Sequence, residues 1–417
     1  MNRGCLIAAA VMLVACVALV FAFYNLVESP PELSDRERMK QLLALPYLSH
    51  SPEQAEEDRT GVVLYDREKA YDGYNLYTSR TSPEIFLIDM EGNVVRRWTS
   101  PQERETIVEY AALFDDGDLI VINKFEDVVR IDLRGETIWR QEIPAHHDVW
   151  IEPDDSAWVV ARDVRRHNGL DVDFSALVHV GADGSIEDRW DAYDSLDRIR
   201  GSLDMTPFDP TIDIGGAWTL AQRFVRRSVA RIRGRSEKLR DPFHLNTVTV
   251  LPRTEIGERD ERFREGNLLI CYRNLDQIAI FDPEKGELVW SWGYGVLDRP
   301  HYPVMLDTGQ ILVFDNGTFR EYSRVVELDP VTEEIVWEYV ADPRESFYSE
   351  AGGSAQRLPN GNTLITQTMT GRVFEVTRDG EIVWEWLHPI VEEGHRSQIY
   401  RMLRYPRDLV DRNMFRS

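Results

Sequence analysis

Along most of the chain, apolar and polar positions alternate with a period of two, broken by short turn clusters. One phrase recurs six times: an alternating run, a turn holding Asp or Gly, and a second run that ends in tryptophan. The copies are EIFLIDMEGNVVRRW ending at Trp98, DVVRIDLRGETIW at Trp139, ALVHVGADGSIEDRW at Trp190, QIAIFDPEKGELVW at Trp290, RVVELDPVTEEIVW at Trp337 and RVFEVTRDGEIVW at Trp384. A period of two sends successive side chains to opposite faces of a strand. DMEGN, DPEKGE and TRDGE are turn chemistry, so each copy predicts a hairpin. Most copies follow a further hairpin, in ALFDDGDLIVI, WIEPDDSAWVVA, REGNLLICYR, VMLDTGQILVFDNG and QRLPNGNTLITQ. Two hairpins make a four-stranded unit, and the tryptophans step by 41, 51, 100, 47 and 47 residues. Four strands at such spacing describe a propeller blade. The pattern predicts an all-β, six-bladed β-propeller over residues 61–395, with the tryptophans packed between blades. The innermost strands are expected in the hairpins near 110–121, 147–161, 246–251, 303–313 and 356–366.

Two stretches break the pattern. The long step contains an insertion, residues 191–243, whose part 217–240 carries eight basic residues and one acidic. Trp218, Leu220, Phe224, Val225, Val229 and Ile232 recur there at helical spacing. Such a basic amphipathic helix either packs on the propeller by its apolar stripe or lies on an anionic membrane face or over the channel mouth. The other stretch is the start, MNRGCLIAAAVMLVACVALVFAFYNL, residues 1–26. A basic residue followed by about 20 apolar ones matches a bilayer core, and Arg3 orients the body outward. An N-terminal transmembrane anchor helix is the first reading; a lipoprotein box ending at Cys16 and a cleaved signal peptide are the alternatives. All three place the body outside the cytoplasm, and the first keeps it anchored to the membrane. Residues 27–60 then read as a linker and 396–417 as a C-terminal tail.

Composition narrows the chemistry. The 417 residues carry a formal net charge of −24, which argues against nucleic acid as a partner. Cys271 is alone in the body, so no disulfide forms there, and neither a CxxC nor an HExxH metal pattern occurs. No Walker-type loop is present. No cofactor or metal is expected.

Histidine carries the remaining signal. Propellers bind ligands at the end of the central channel, where innermost strands begin. HHDVWIEPDDSAWVVAR opens one blade with His146 and His147, HLNTVTVLP the next with His244, and HYPVMLDTGQILVFDNG the one after with His301. Nothing in the repeat needs histidine there. Arg273, which ends GNLLICYR, can turn toward the same channel end. Imidazoles with one guanidinium suit an anionic tetrahedral group, and a histidine can attack as a nucleophile or carry a proton. Alternation along the strand sends His146 away from His147.

The runs DPFHLNTV, NLLICYRNLDQIAIFD, RPHYPVMLDTGQILVFDNGTFREYSR and YSEAGGSAQRLPNGNTLI, with HHDVWIEPDDSAWVV, resemble the bacterial arylsulfate sulfotransferase family over residues 62–390. The resemblance implies a nucleotide-independent sulfuryl transfer from an aryl sulfate ester to a phenolic acceptor. It implies His301 as the nucleophile, forming a sulfohistidine, and His147, His244 and Arg273 around the sulfuryl oxygens. Either His147 or His244 would be the acid and base. Pro300 stands where the family usually has glutamine, RTEIGERDERFREG lengthens one hairpin, and the family's extra N-terminal β-domain and disulfide are missing. The alternative is a non-catalytic membrane-tethered propeller acting as a ligand-binding or scaffold module. DPEKGELVW also resembles repeats of quinone-dependent dehydrogenases, but those have eight blades and a calcium site.

Overall fold

Strands with apolar residues on both faces must be covered on both sides, and the central hairpins of this chain are built that way. The computed structural model describes residues 50–55, 59–102, 107–167, 170–203 and 241–414. The 1–26 segment and the basic 217–240 stretch lie outside the described residues, as does most of the 27–60 linker. Among the described residues, no helix is long and apolar enough to cross a membrane.

Six antiparallel sheets carry the body, each ordered from an innermost strand outward. Sheet 1 orders Ile399–Pro406, Gly73–Ser79, Glu84–Ile88 and Val94–Thr99. Sheet 2 orders Val108–Leu113, Leu119–Asn123, Asp127–Ile131 and Thr137–Gln141. Sheet 3 orders Ala145–Ile151, Ala157–Ala161, Ala176–Val180 and Ile186–Asp191. Sheet 4 orders Leu245–Val250, Leu268–Tyr272, Gln277–Asp282 and Glu287–Trp292. Sheet 5 orders His301–Met305, Ile311–Asp315, Arg324–Leu328 and Ile335–Tyr339. Sheet 6 orders Ser354–Arg357, Thr363–Gln367, Arg372–Val376 and Ile382–Leu387, with Gly61–Tyr65 added outside. The second strands LIVIN, LLICY and ILVFD are buried at every residue, whereas fourth strands such as Val94–Thr99 are largely open to solvent.

The repeated tryptophans link sheet to sheet. Indole nitrogens donate from Trp98 to Leu133 O in sheet 2 (3.0 Å), from Trp139 to Ala182 O in sheet 3 (3.1 Å) and from Trp337 to Arg378 O in sheet 6 (2.9 Å). Trp190 packs its ring 4.7 Å from Phe281 of sheet 4, and Trp290 joins an apolar cluster with Val326 and Leu328 of sheet 5. Trp384 of sheet 6 donates to Met90 O of sheet 1 at 2.9 Å, so the sheets follow one another in a closed cycle. The innermost strands are neighbours in the same cyclic order. Truncating a fully buried tryptophan such as Trp384 costs about 3–5 kcal/mol.

The segment after residue 396, expected as a tail, is instead structural. Ile399–Pro406 pairs with Gly73–Ser79, Leu403 opposite Leu76 and Tyr405 opposite Tyr74, and supplies the innermost strand of sheet 1. Its pattern hid it, because two arginines interrupt the apolar positions. Both are buried with partners: Arg404 with Glu375 and Asn75, and Arg401 with Asp148. Ile399–Pro406 thereby completes the sheet to which Gly73–Ser79 belongs.

Candidate active site

The inner strands of sheets 3, 4 and 5 share one distortion. His147 (φ 65°), His244 (φ 51°) and Tyr302 (φ 48°) are left-handed, and strand register shifts beside each. Left-handed backbone is costly for L-residues and persists where surroundings enforce it. A side chain captures each strained amide. His147 N donates to Glu109 Oε2 (3.0 Å), His244 N to Asp241 Oδ1 (2.8 Å) and Tyr302 N to Thr247 Oγ1 (3.0 Å).

His301 lies buried at the head of its strand. Its Nδ1 is 2.7 Å from Asn316 Oδ1. The Asn316 amide is itself fixed, because Nδ2 donates to Ser349 O (2.8 Å) and Gly352 O (2.6 Å). The carboxamide oxygen therefore faces the ring, Nδ1 must carry the hydrogen, and Nε2 keeps its lone pair. Nε2 has no hydrogen-bond partner among the described residues. Burial first, then the charge of Arg273, holds the His301 pKa well below the ordinary histidine value. The ring is neutral at neutral pH with one nitrogen ready to attack.

The other three expected residues belong to sheets 3 and 4, and the charges of Arg273 and His244 reach His301. Arg273 follows the second strand of sheet 4, and its N donates to His244 O at 3.2 Å. Burial, then Arg299, brings its pKa down to about 10, so it stays cationic. Among the described residues it makes no ion pair; its Nη1 donates only to Asn274 Oδ1 (3.1 Å). His244 Nδ1 lies 2.5 Å from Asp241 Oδ2. Burial opposes charge on Asp241, but His244 outweighs it and holds the carboxyl below its ordinary range. The His147 ring is 4.9 Å from the His244 ring, and its Nδ1 is buried 3.5 Å from Glu109 Oε1 with no hydrogen bond. Burial and the neighbouring His146 and His244 push His147 well below the ordinary value.

His146 departs from expectation. Its ring meets His147 edge-on at 4.6 Å, although strand alternation would separate them. The left-handed turn at His147 breaks the alternation and brings both imidazoles together. Both His146 ring nitrogens are buried without a partner, and burial brings its pKa down to about 4.

One residue further along the same strands the site closes. Arg401 pairs with Asp148 at 2.5 Å, and its guanidinium carbon lies 3.7 Å from the Tyr302 ring centre, 4.6 Å from Tyr110 and 5.4 Å from Tyr400. Asp148 Oδ2 also accepts from Val248 N at 3.2 Å. These groups come from the inner strands of five sheets.

Sequence reasoning missed Asn316, Asp241, Glu109 and Arg401. Asn316 sits in FDNG and reads as turn chemistry, and Asp241 precedes the strand that His244 opens. Arg401 had no repeat to belong to.

The all-β body of linked sheets carries these imidazoles and the guanidinium on neighbouring sheets 3, 4 and 5. The chain belongs to the arylsulfotransferase (ASST) family, whose model matches residues 111–389, about two thirds of its length. That membership supports aryl sulfotransfer in general and a transferase as the class of enzyme. Among solved structures the chain is similar to a protein of unknown function from Bacteroides caccae (15% identity, TM-score 0.50, covering 80% of this chain and 99% of that one). It is similar also to a streptogramin B lyase (11%, 0.45, 86% and 96%) and to the Cps50 (Swd1) beta-propeller domain of Myceliophteria thermophila (11%, 0.44, 82% and 99%). No curated protein matches the chain.

Proposed function

We propose that the six sheets are the blades of a propeller and that its channel end transfers a sulfuryl group from an aryl sulfate ester to a phenol, without a nucleotide, through His301. The observation that carries this reading is the Asn316–His301 pair, which leaves a neutral Nε2 unbonded beside Arg273. In the first half-reaction the Nε2 lone pair forms an N–S bond. The S–O(aryl) bond breaks, its electrons go to the phenolate, and His244 gives that oxygen a proton. Arg273 and neutral His147 donate to the sulfuryl oxygens. Asp241, accepting from His244 Nδ1, holds the ring so that its Nε2 can give and take the proton. In the second half, His244 removes the acceptor's proton, the phenol oxygen attacks sulfur, and the N–S electrons return to His301.

The structure favours His244 over His147 for the proton, because only His244 has a carboxylate in hydrogen-bond reach. The membrane anchor at residues 1–26 and an extracytoplasmic body remain part of the reading, on the sequence alone. A fusion reporter after Ser417 should work only outside the cytoplasm. The functional test is incubation with a chromogenic phenyl sulfate, with and without added phenol. Phenol-stimulated release without nucleotide supports the reading. No turnover across a panel of aryl sulfates transfers support to the ligand-binding module.

A further inference from the structure

Beside the nucleophile lies a second guanidinium that the chemistry above does not use. Arg299 is left-handed (φ 58°), and its N donates to Asp276 Oδ1 (2.8 Å), itself a left-handed residue. Its carbonyl lies 3.2 Å from His301 Nδ1, so the residue is tied to the nucleophile. Its Nη1 donates to Asn274 Oδ1, the same oxygen that Arg273 Nη1 uses. Two cations on one amide oxygen repel each other, with Asp276 Oδ1 standing 4.0 Å from Arg299 Nε. Asn274 is anchored in turn, its Nδ2 donating to Asp241 O at 2.7 Å.

Outward from Arg299 stands Phe319. Its ring centre is 5.6 Å from the Arg299 guanidinium carbon. At 75% exposure it is the most exposed large apolar side chain among the described residues. Its loop is not loose: Phe319 N donates to Asp298 Oδ2 (2.7 Å) and Gly317 N to Asp298 O (2.9 Å). The loop starts at Asn316, which orients the nucleophile. A chain of contacts thus runs from Arg273 through Asn274 and Arg299, all three partly exposed, to an aromatic face in solvent. An aryl sulfate has the same polarity: a compact anion at one end and a flat apolar ring at the other.

We propose that Phe319 and Arg299 form the aryl subsite, Phe319 stacking the ring of donor and acceptor in turn and Arg299 binding the phenolic-oxygen side of the ester. This rests on the sulfuryl-transfer reading and assigns Phe319 as the side chain that selects among its aryl esters. The test compares wild type, Phe319→Ala and Phe319→Trp with phenyl sulfate, 2-naphthyl sulfate and an alkyl sulfate. Phe319→Ala should raise KM for both aryl esters by roughly two- to tenfold, more for naphthyl, with the change falling on KM rather than kcat, and Phe319→Trp should restore it. Arg299→Met should weaken aryl and alkyl sulfates together. Equal KM changes for aryl and alkyl esters in Phe319→Ala, or none, would overturn the subsite. If the wild type turns over no ester, the transfer reading falls, and equilibrium binding of the same esters decides the subsite: weaker aryl binding in Phe319→Ala keeps it, equal binding refutes it.

Discussion

Two arginines of this molecule differ in their surroundings, Arg401 buried and Arg273 partly exposed. Arg401 is complete: a carboxylate at 2.5 Å and three tyrosine rings around it leave nothing for a ligand to supply. Burial opposes its charge, yet Asp148 and the tyrosines hold its pKa well above the ordinary guanidinium value. Arg273 has one amide oxygen, a like charge nearby and a lowered pKa. Around it, His301 Nε2 has no partner among the described residues, and His147 Nδ1 and both His146 nitrogens are buried without one. An unmet buried polar group costs about 1–3 kcal/mol. The surroundings of Arg401 are complete, and those of Arg273 hold polar groups without partners among the described residues.

That contrast can be broken from either side. His301→Ala should lower turnover by about 10⁴-fold or more, as loss of a nucleophile does, while denaturant unfolding changes little. Asp148→Ala should do the reverse. Leaving Arg401 buried and unpaired costs about 3–5 kcal/mol of stability, read from urea midpoints, and activity is lost only through unfolding. Asn316→Ala frees the His301 ring to adopt the other tautomer and should cost roughly 10–100-fold in rate, with stability nearer to wild type than in Asp148→Ala.

The smallest effect is in pH. His146 (about 4), His147, His301 and His388 (about 3) all have pKa values below the ordinary 6.5, burial being the first cause in each. Each binds its proton more weakly in the fold than in the unfolded chain. Their contribution to stability is therefore complete above about pH 6.5 and is lost as pH falls from there toward about 4. Thermal midpoints should decline over that interval. The His301→Ala variant should decline less steeply.

The sheets and the cradle were legible to different depths. Period-two alternation and the recurring tryptophan are local signals, so the all-β hairpins could be read directly. The equivalence of His147, His244 and His301 is read from the repeat, and the His147 and His244 rings lie 4.9 Å apart. What could not be read lies where a residue's meaning is set by a distant partner. Arg401 and Arg404 read as solvent-facing until Asp148 and Glu375, far away in sequence, neutralise them. His146 was placed on the wrong face because alternation assumes a regular strand, and the left-handed His147 makes it irregular. Asn316 looks like any turn asparagine until its amide is seen held by Ser349 and Gly352.

The central claim is that His301 Nε2 receives the sulfuryl group. Incubating the protein with an aryl sulfate and no acceptor, quenching in base and mapping peptides by mass spectrometry tests it directly. The account predicts one acid-labile sulfuryl group on the peptide holding His301, removed by added phenol and absent from His301→Ala. A label on the peptide of His147 or His244, or wild-type turnover by His301→Ala, would contradict it.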